Sequence, residues 1–286
     1  MCTLVYRNTY ASHNGQSSDK STHHFIFSHG LGATAAKSKN YITRDIIPAH
    51  TSSFNYQDAY WRFEKFGYSK GLNLWDSCCG QDNDVKKLTE QIEAGDSDKI
   101  VIFGESRGAV VPLRLFYTNP DNPVLKKIKA LVLDSPFDTM YNALKHRLGQ
   151  LYLDSIIAPD TAEQWLPWIL WDYKLNVPQP IAIIASLPKD IPILFICSET
   201  DRRVPHLSAL SFYHKLHAQG HDKIHILPLS VGSHGWLMEG KARDIYRNVV
   251  HAFYKKYNIE HNSNYAQAGE ETFLRTQPKI ISVEIW

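Results

Sequence analysis

The chain has 286 residues, 43% of them hydrophobic, with 31 Lys+Arg against 29 Asp+Glu; that is the balance of a folded globular protein and excludes a disordered one. A formal net charge of +2 gives no basic footprint for nucleic acid. Cys2, Cys78, Cys79 and Cys197 are too few and too irregularly spaced for a disulfide framework and include no CxxC pair for zinc, so thiols in a reducing compartment are expected. Residues 1–18 lack the apolar core of a signal peptide, and no apolar run approaches the roughly 20 residues that span a bilayer, so a soluble, cytoplasmic protein is expected.

In chain order, a short strand at 4–6 precedes the apolar run His24–Ser28, and a further strand is predicted near 52–56. Val85, Leu88 and Ile92 have helical spacing over 84–94, and a strand at 99–103 follows. Val110, Val111, Leu113 and Phe116 predict a helix over 107–117, which Pro112 interrupts by one bond. Strands at 130–133, 192–197 and 224–229 follow, with a helix over 207–217 between the last two. Near-continuous apolarity marks strands covered on both faces, and the alternation with helices marks a mostly parallel sheet with right-handed crossovers.

Residues 138–190 break this rhythm and predict a helical insertion. There Leu144, Leu148, Leu151 and Tyr152 share one helical face, and Asp160 with Glu163, or Thr161 with Gln164, would cap a second helix that Pro167 kinks. After Tyr257 a polar link leads to 279–286, where Ile281, Val283 and Ile285 alternate with polar residues as in a half-buried strand.

The strongest chemical signal is the run Gly104, Glu105, Ser106, Arg107, Gly108, set between the strand at 99–103 and the helix at 107–117. So sharp a turn puts its central residue in a sparsely populated backbone conformation and presses the residues two before and two after it together, which only glycine allows. The Ser106 hydroxyl then stands at the carboxyl edge of the sheet beside a helix N-terminus. Serine needs a base oriented by a carboxylate. Asp201 follows the strand at 192–197 and His234 follows the strand at 224–229, so the order Ser106, Asp201, His234 is that of one known triad architecture. Asp134, ending the strand at 130–133, is an alternative acid.

These residues resemble the α/β-hydrolase superfamily. The resemblance covers about 25–257: the strand ending in Ser28, His29, Gly30, Leu31 and Gly32, the turn at 104–108, the loop with Asp201, Val204 and Pro205, and the loop Ser233, His234, Gly235. The Asp201, Val204, Pro205 pattern is similar to the prolyl-oligopeptidase, dienelactone-hydrolase and acylaminoacyl-peptidase branches. The resemblance implies a single α/β-hydrolase domain over 1–286, with a helical cap at 138–190 and a C-terminal extension at 258–286. It implies Ser106 as nucleophile, His234 as base and then acid, Asp201 as orienting carboxylate, and the backbone amides of Leu31 and Arg107 as oxyanion hole.

The expectation is a serine hydrolase cleaving a carboxylic ester, thioester or amide through an acyl-enzyme, without cofactor or metal. An acyltransferase, or a binding protein on a retired hydrolase fold, is the alternative. Trp165, Trp168 and Trp236 are candidate pocket residues for an apolar or aromatic small-molecule substrate, with Trp61, Phe63, Phe66 and Tyr68 as an opposite wall; Trp165, Trp168 and Trp171 read equally as the core of their own helical layer. Glu105 and the Arg107 side chain read as ion pairs bracing the turn, Cys78 and Cys79 as inert thiols, and His214, His217, His221 and His225 as a solvated helix end.

Overall fold

The computed structural model describes residues 23–56, 60–63, 68–72, 79–170 and 173–277, with the side chains of 60–63, 68–72 and 169 outside the description. The strands expected at 4–6 and 279–286, together with Cys2, Cys78, Phe66 and Trp171, lie outside the described residues, as do the side chains of Trp61, Phe63 and Tyr68.

Alternate residues of the apolar runs feed two separate cores. Ile26, Ile102, Leu131, Leu133, Ile193 and Phe195 bury into one, and Phe25, Phe27, Phe103, Val132, Leu194 and Ile196 into the other. A period of two with both faces apolar gives strands covered by helices on each side. Six of them form one sheet: β1 (His24–Ser28), β2 (Ser52–Ser53), β5 (Ile100–Glu105), β6 (Ile128–Asp134), β7 (Ile193–Ser198) and β8 (Ile224–Leu229). Their order is β2-β1-β5-β6-β7-β8 and every pairing is parallel. A separate antiparallel ribbon joins β3 (Tyr60–Phe63) to β4 (Tyr68–Leu72).

Helices α2 (Asp82–Glu93), α3 (Arg107–Thr118), α6 (Pro180–Ile183) and α7 (His206–Ala218) cover one face, with Leu88, Leu113, Ile184 and Phe212 fully buried on that side. The other face carries α1 (Ser38–Ile42), α8 (Arg243–Lys256) and α9 (Ser263–Leu274), through Tyr41, Val249, Phe253 and Phe273. Pro112 lies inside α3, which continues past it to Thr118.

The chain runs outward from β1 to β2, then returns to β5 and proceeds the other way, so the strand order reverses between β1 and β5. Such a reversal opens a crevice at the carboxyl ends of the strands. Ser28 is level with Gly104 across this pair, so the segments leaving β1 and β5 emerge side by side.

Residues 138–190 lie between neighbouring strands β6 and β7 and hold α4 (Met140–Gln150), α5 (Pro159–Ile169) and α6. Here the structure differs from the sequence reading in three places. Helix α4 stops at Gln150, and Tyr152 lies beyond it at φ +57° and 86% exposed, so Leu151 and Tyr152 do not extend the face of Leu144 and Leu148. Helix α5 starts with Pro159 at its first position and has no side-chain cap, because the fixed φ of proline sets the start. On α5 and at its C-terminal end, Leu166 and Leu170 are buried while Trp165 and Trp168 are 49% and 77% exposed, so among the described residues leucine packs this layer and these two tryptophans do not.

The supposed polar link after Tyr257 is also corrected: it contains α9. Gly269 lets α9 lie directly on α8, since a Cβ there would fall 2.1 Å from the Asn248 carbonyl oxygen. Beyond α9 the Thr276 carbonyl accepts a hydrogen bond from the Ile226 N–H of β8 (2.8 Å).

Candidate active site

Ser106 has φ +53° and ψ −117°, a conformation rarely adopted by a residue with a side chain. The turn that imposes it is closed by contact: a Cβ on Gly104 would lie 2.4 Å from the Gly108 carbonyl oxygen, and one on Gly108 would lie 2.0 Å from that of Ser28. The Ser106 N–H donates to the Asp134 carbonyl (2.7 Å), tying the turn to β6.

Three sequence-distant side chains meet in one hydrogen-bond chain. His234 Nδ1 lies 2.7 Å from Asp201 Oδ2, and His234 Nε2 lies 2.9 Å from Ser106 Oγ. A carboxylate can only accept, so Nδ1 carries the proton and Nε2 is left to accept from the serine hydroxyl. The other Asp201 oxygen accepts from the amides of Arg203 (2.8 Å) and Val204 (3.1 Å). Burial alone would push the Asp201 carboxyl up; the hydrogen bond and charge of His234 and the two amides outweigh it and hold the group below its ordinary range.

The loops bearing the acid and the histidine are tied together. Thr200 Oγ1 accepts from the Gly232 N–H (2.9 Å) and lies 3.2 Å from the Gly232 carbonyl, to which it donates. His146, on α4, donates from Nε2 to the Asp201 carbonyl (2.7 Å), so the insertion touches the acid loop as well.

Asp134 is placed elsewhere. It accepts from Tyr246 (2.8 Å), Ser135 (2.8 Å) and Tyr41 (3.3 Å), whereas His234 bonds Asp201. Burial, and then the nearby Glu105 charge, push its carboxyl up to about 6. The same burial raises Tyr41 and Tyr246 well above the ordinary phenol value.

Leu31 follows Gly30, whose Cα carries no side chain because a Cβ would lie 3.2 Å from Ser106 Cβ; Arg107 opens α3, where the first amides project from the helix end. The Arg107 side chain is fully buried, 3.7 Å from Asp84 and stacked on Tyr56 at 4.4 Å, so it braces the turn. Glu105 is likewise buried and ion-paired, to Lys37 at 2.6 Å. Trp236, 44% exposed, lies beside the Lys37 ammonium (5.3 Å) close to His234, whereas Trp165 and Trp168 stand on the outer side of α5.

A narrow crevice lies between α3 and the 138–190 segment, lined by Val110, Phe137, Tyr173 and Val177 with Gln81 and Arg114. Among the described residues no group of three or more His, Cys, Asp and Glu side chains is arranged to hold a metal, and no helix is long and apolar enough to cross a membrane. Cys79 and Cys197 are buried, and burial with nearby carboxylates pushes the Cys197 thiol up to about 12. Lys37, Tyr41 and Thr200 carry no motif in the sequence; only the fold brings them here.

No family model matches the chain and no curated protein matches it in sequence. Solved structures do match. An esterase of Pyrococcus furiosus superposes with a TM-score of 0.55 at 16% identity, over 83% of each chain. An acylaminoacyl peptidase of Pyrococcus horikoshii gives 0.55 at 16% over 87% of this chain and 40% of that one. An α/β-hydrolase enzyme from a deep-sea metagenome gives 0.52 at 13% over 84% and 92%. The chain therefore has the α/β-hydrolase fold.

Proposed function

We propose that the protein is a serine hydrolase that cleaves a carboxylic ester, or the corresponding thioester or amide, through an acyl-enzyme on Ser106. The observation that carries this reading is the hydrogen-bond chain from Asp201 through His234 to Ser106, built on a strained turn at the crevice where the strand order reverses. The names of the superposed structures, esterase, acylaminoacyl peptidase and α/β-hydrolase enzyme, agree with it.

In this reading Ser106 Oγ attacks the substrate carbonyl as His234 Nε2 takes its proton, while Asp201 holds the ring in the required tautomer and stabilises the imidazolium. The amides of Leu31 and Arg107 receive the oxyanion, each lowering the barrier by about 3 kcal/mol. His234 returns the proton to the leaving group, and water then repeats the sequence to free the acid. The 138–190 segment acts as a cap on a single catalytic domain, and the half-exposed Trp236, two residues after His234, supplies part of the pocket wall.

A fluorophosphonate probe tests this directly. Wild type is expected to label at one site, with labelling abolished in Ser106→Ala and reduced by at least about a thousandfold in His234→Ala. Folded wild-type protein that fails to label, or a Ser106→Ala variant that labels normally, would overturn the proposal. A panel of p-nitrophenyl esters of increasing length beside aminoacyl amides then separates esterase from peptidase chemistry.

A further inference from the structure

The Glu105 carboxylate sits where four pieces of the site converge. Oε1 accepts from Lys37 Nζ at 2.6 Å and Oε2 accepts from Tyr41 at 3.1 Å. The same Oε1 would lie 2.9 Å from a Cβ on Gly30 and 2.8 Å from a Cβ on Gly235, and Lys37 Nζ would lie 2.5 Å from the latter. Gly30 begins the proposed oxyanion loop and Gly235 directly follows His234. Both glycines are thus needed to admit the ion pair, and Gly235, at φ +70°, also uses a backbone region that side chains disfavour.

We infer that Lys37 and Glu105 are positioning residues for the proposed hydrolysis, a buried clasp that sets the distance between the oxyanion loop, the histidine loop and Ser106. The inference rests on the serine-hydrolase reading. Neither group bonds Ser106 Oγ or His234, so both act through placement. A buried carboxylate is stable only when paired, and Lys37, whose side chain is 14% exposed against 3% for Glu105, is the partner that closes over it. The clasp therefore engages only when the segment carrying Lys37, the oxyanion loop and the histidine loop are all docked, and a displacement of about 1 Å in any of them is costly to rate.

The test compares wild type with Lys37→Met, Glu105→Gln, the double variant and Lys37→Arg. For each, the rate and endpoint of fluorophosphonate labelling, the unfolding midpoint, and kcat and KM on an ester that wild type hydrolyses are measured. The endpoint counts folded sites and the rate reads their geometry. Both single variants are expected to lose about tenfold or more in labelling rate and kcat, with KM changed by less than about threefold. The double variant leaves no lone buried charge, so its midpoint should return toward wild type while its rates stay low; Lys37→Arg should regain most of the rate. Lys37→Met at wild-type rates overturns the inference, and so does a double variant that recovers rate together with stability. If Glu105→Gln does not fold, the two Lys37 variants still decide, because Lys37 is the more exposed partner and Lys37→Arg keeps the ion pair. Wild type that does not label overturns the hydrolase reading instead, which is a separate result.

Discussion

Asp201 and Asp134 are both buried carboxylates near the carboxyl ends of neighbouring strands, and their partners separate them. Asp201 receives His234 and two backbone amides; Asp134 receives two phenols and a serine hydroxyl. In the proposed mechanism Asp201→Asn leaves the ring position filled but favours the wrong tautomer, so kcat should fall by roughly 10⁴-fold. Asp134→Asn removes a charge that makes no direct bond to His234 or Ser106, and kcat should fall by less than about tenfold. Steady-state rates on one ester substrate check the pair, and equal losses would refute the assignment of the acid. At this scale Ser106, Asp201 and His234 were legible because a turn motif and the ends of strands mark them. Lys37 and Thr200 were not, because their bonds to Glu105 and Gly232 span 68 and 32 residues and nothing local announces them.

Helix α5 shows how element-scale packing parts from composition. Its two described tryptophans face solvent, while Leu166, 8% exposed, faces the core. Leu166→Ala should therefore cost about 2–4 kcal/mol of unfolding free energy, whereas Trp168→Ser should shift it by only about 0.5 kcal/mol. Urea denaturation measures both, and a larger loss for Trp168 would contradict this packing. The strands β1, β5, β6, β7 and β8 were readable because burial on two faces leaves an almost unbroken apolar run. Helix α9 was not, because its buried face consists of Ala266, Gly269 and Phe273, and small residues used for close approach leave no hydrophobic stripe. Helix α8, by contrast, carries such a stripe, with Tyr246, Val249, Val250 and Phe253 at helical spacing.

Across the whole molecule, two buried groups pull stability in opposite directions with pH. His225 lies between Tyr257 (2.8 Å) and Thr276 (3.0 Å), stacked on Phe273, and burial, with the Lys256 charge second, lowers it to about 3. A depressed histidine contributes stability that is complete above its unfolded value near 6.5 and is lost as pH falls from there toward 3. Asp134, raised to about 6, does the reverse: its contribution is complete below the unfolded value of 3.8 and is lost as pH rises through 6. Between pH 4 and 6 the two slopes oppose each other, each amounting to up to about 1.4 kcal/mol per pH unit. Urea midpoints across that window should fall more steeply toward acid in Asp134→Asn and less steeply in His225→Gln. Parallel pH profiles in both variants would show that these groups do not control it.

The docking of the chain after α9 against β8 has a further consequence, for self-association. An outer strand with open N–H and C=O groups is a template for another chain. Here β2 is only two residues long, while β8 contains Pro228, which cannot donate, and is partly covered by Thr276 and Gln277, whose side-chain amide also donates to the Asp222 carbonyl at 2.9 Å. Residues 259–277 therefore shield an aggregation-prone rim as well as completing a core. Truncation after Asn258 should produce concentration-dependent light scattering that the 286-residue chain lacks, and a truncated chain that stays monomeric at high concentration would remove this role from the segment.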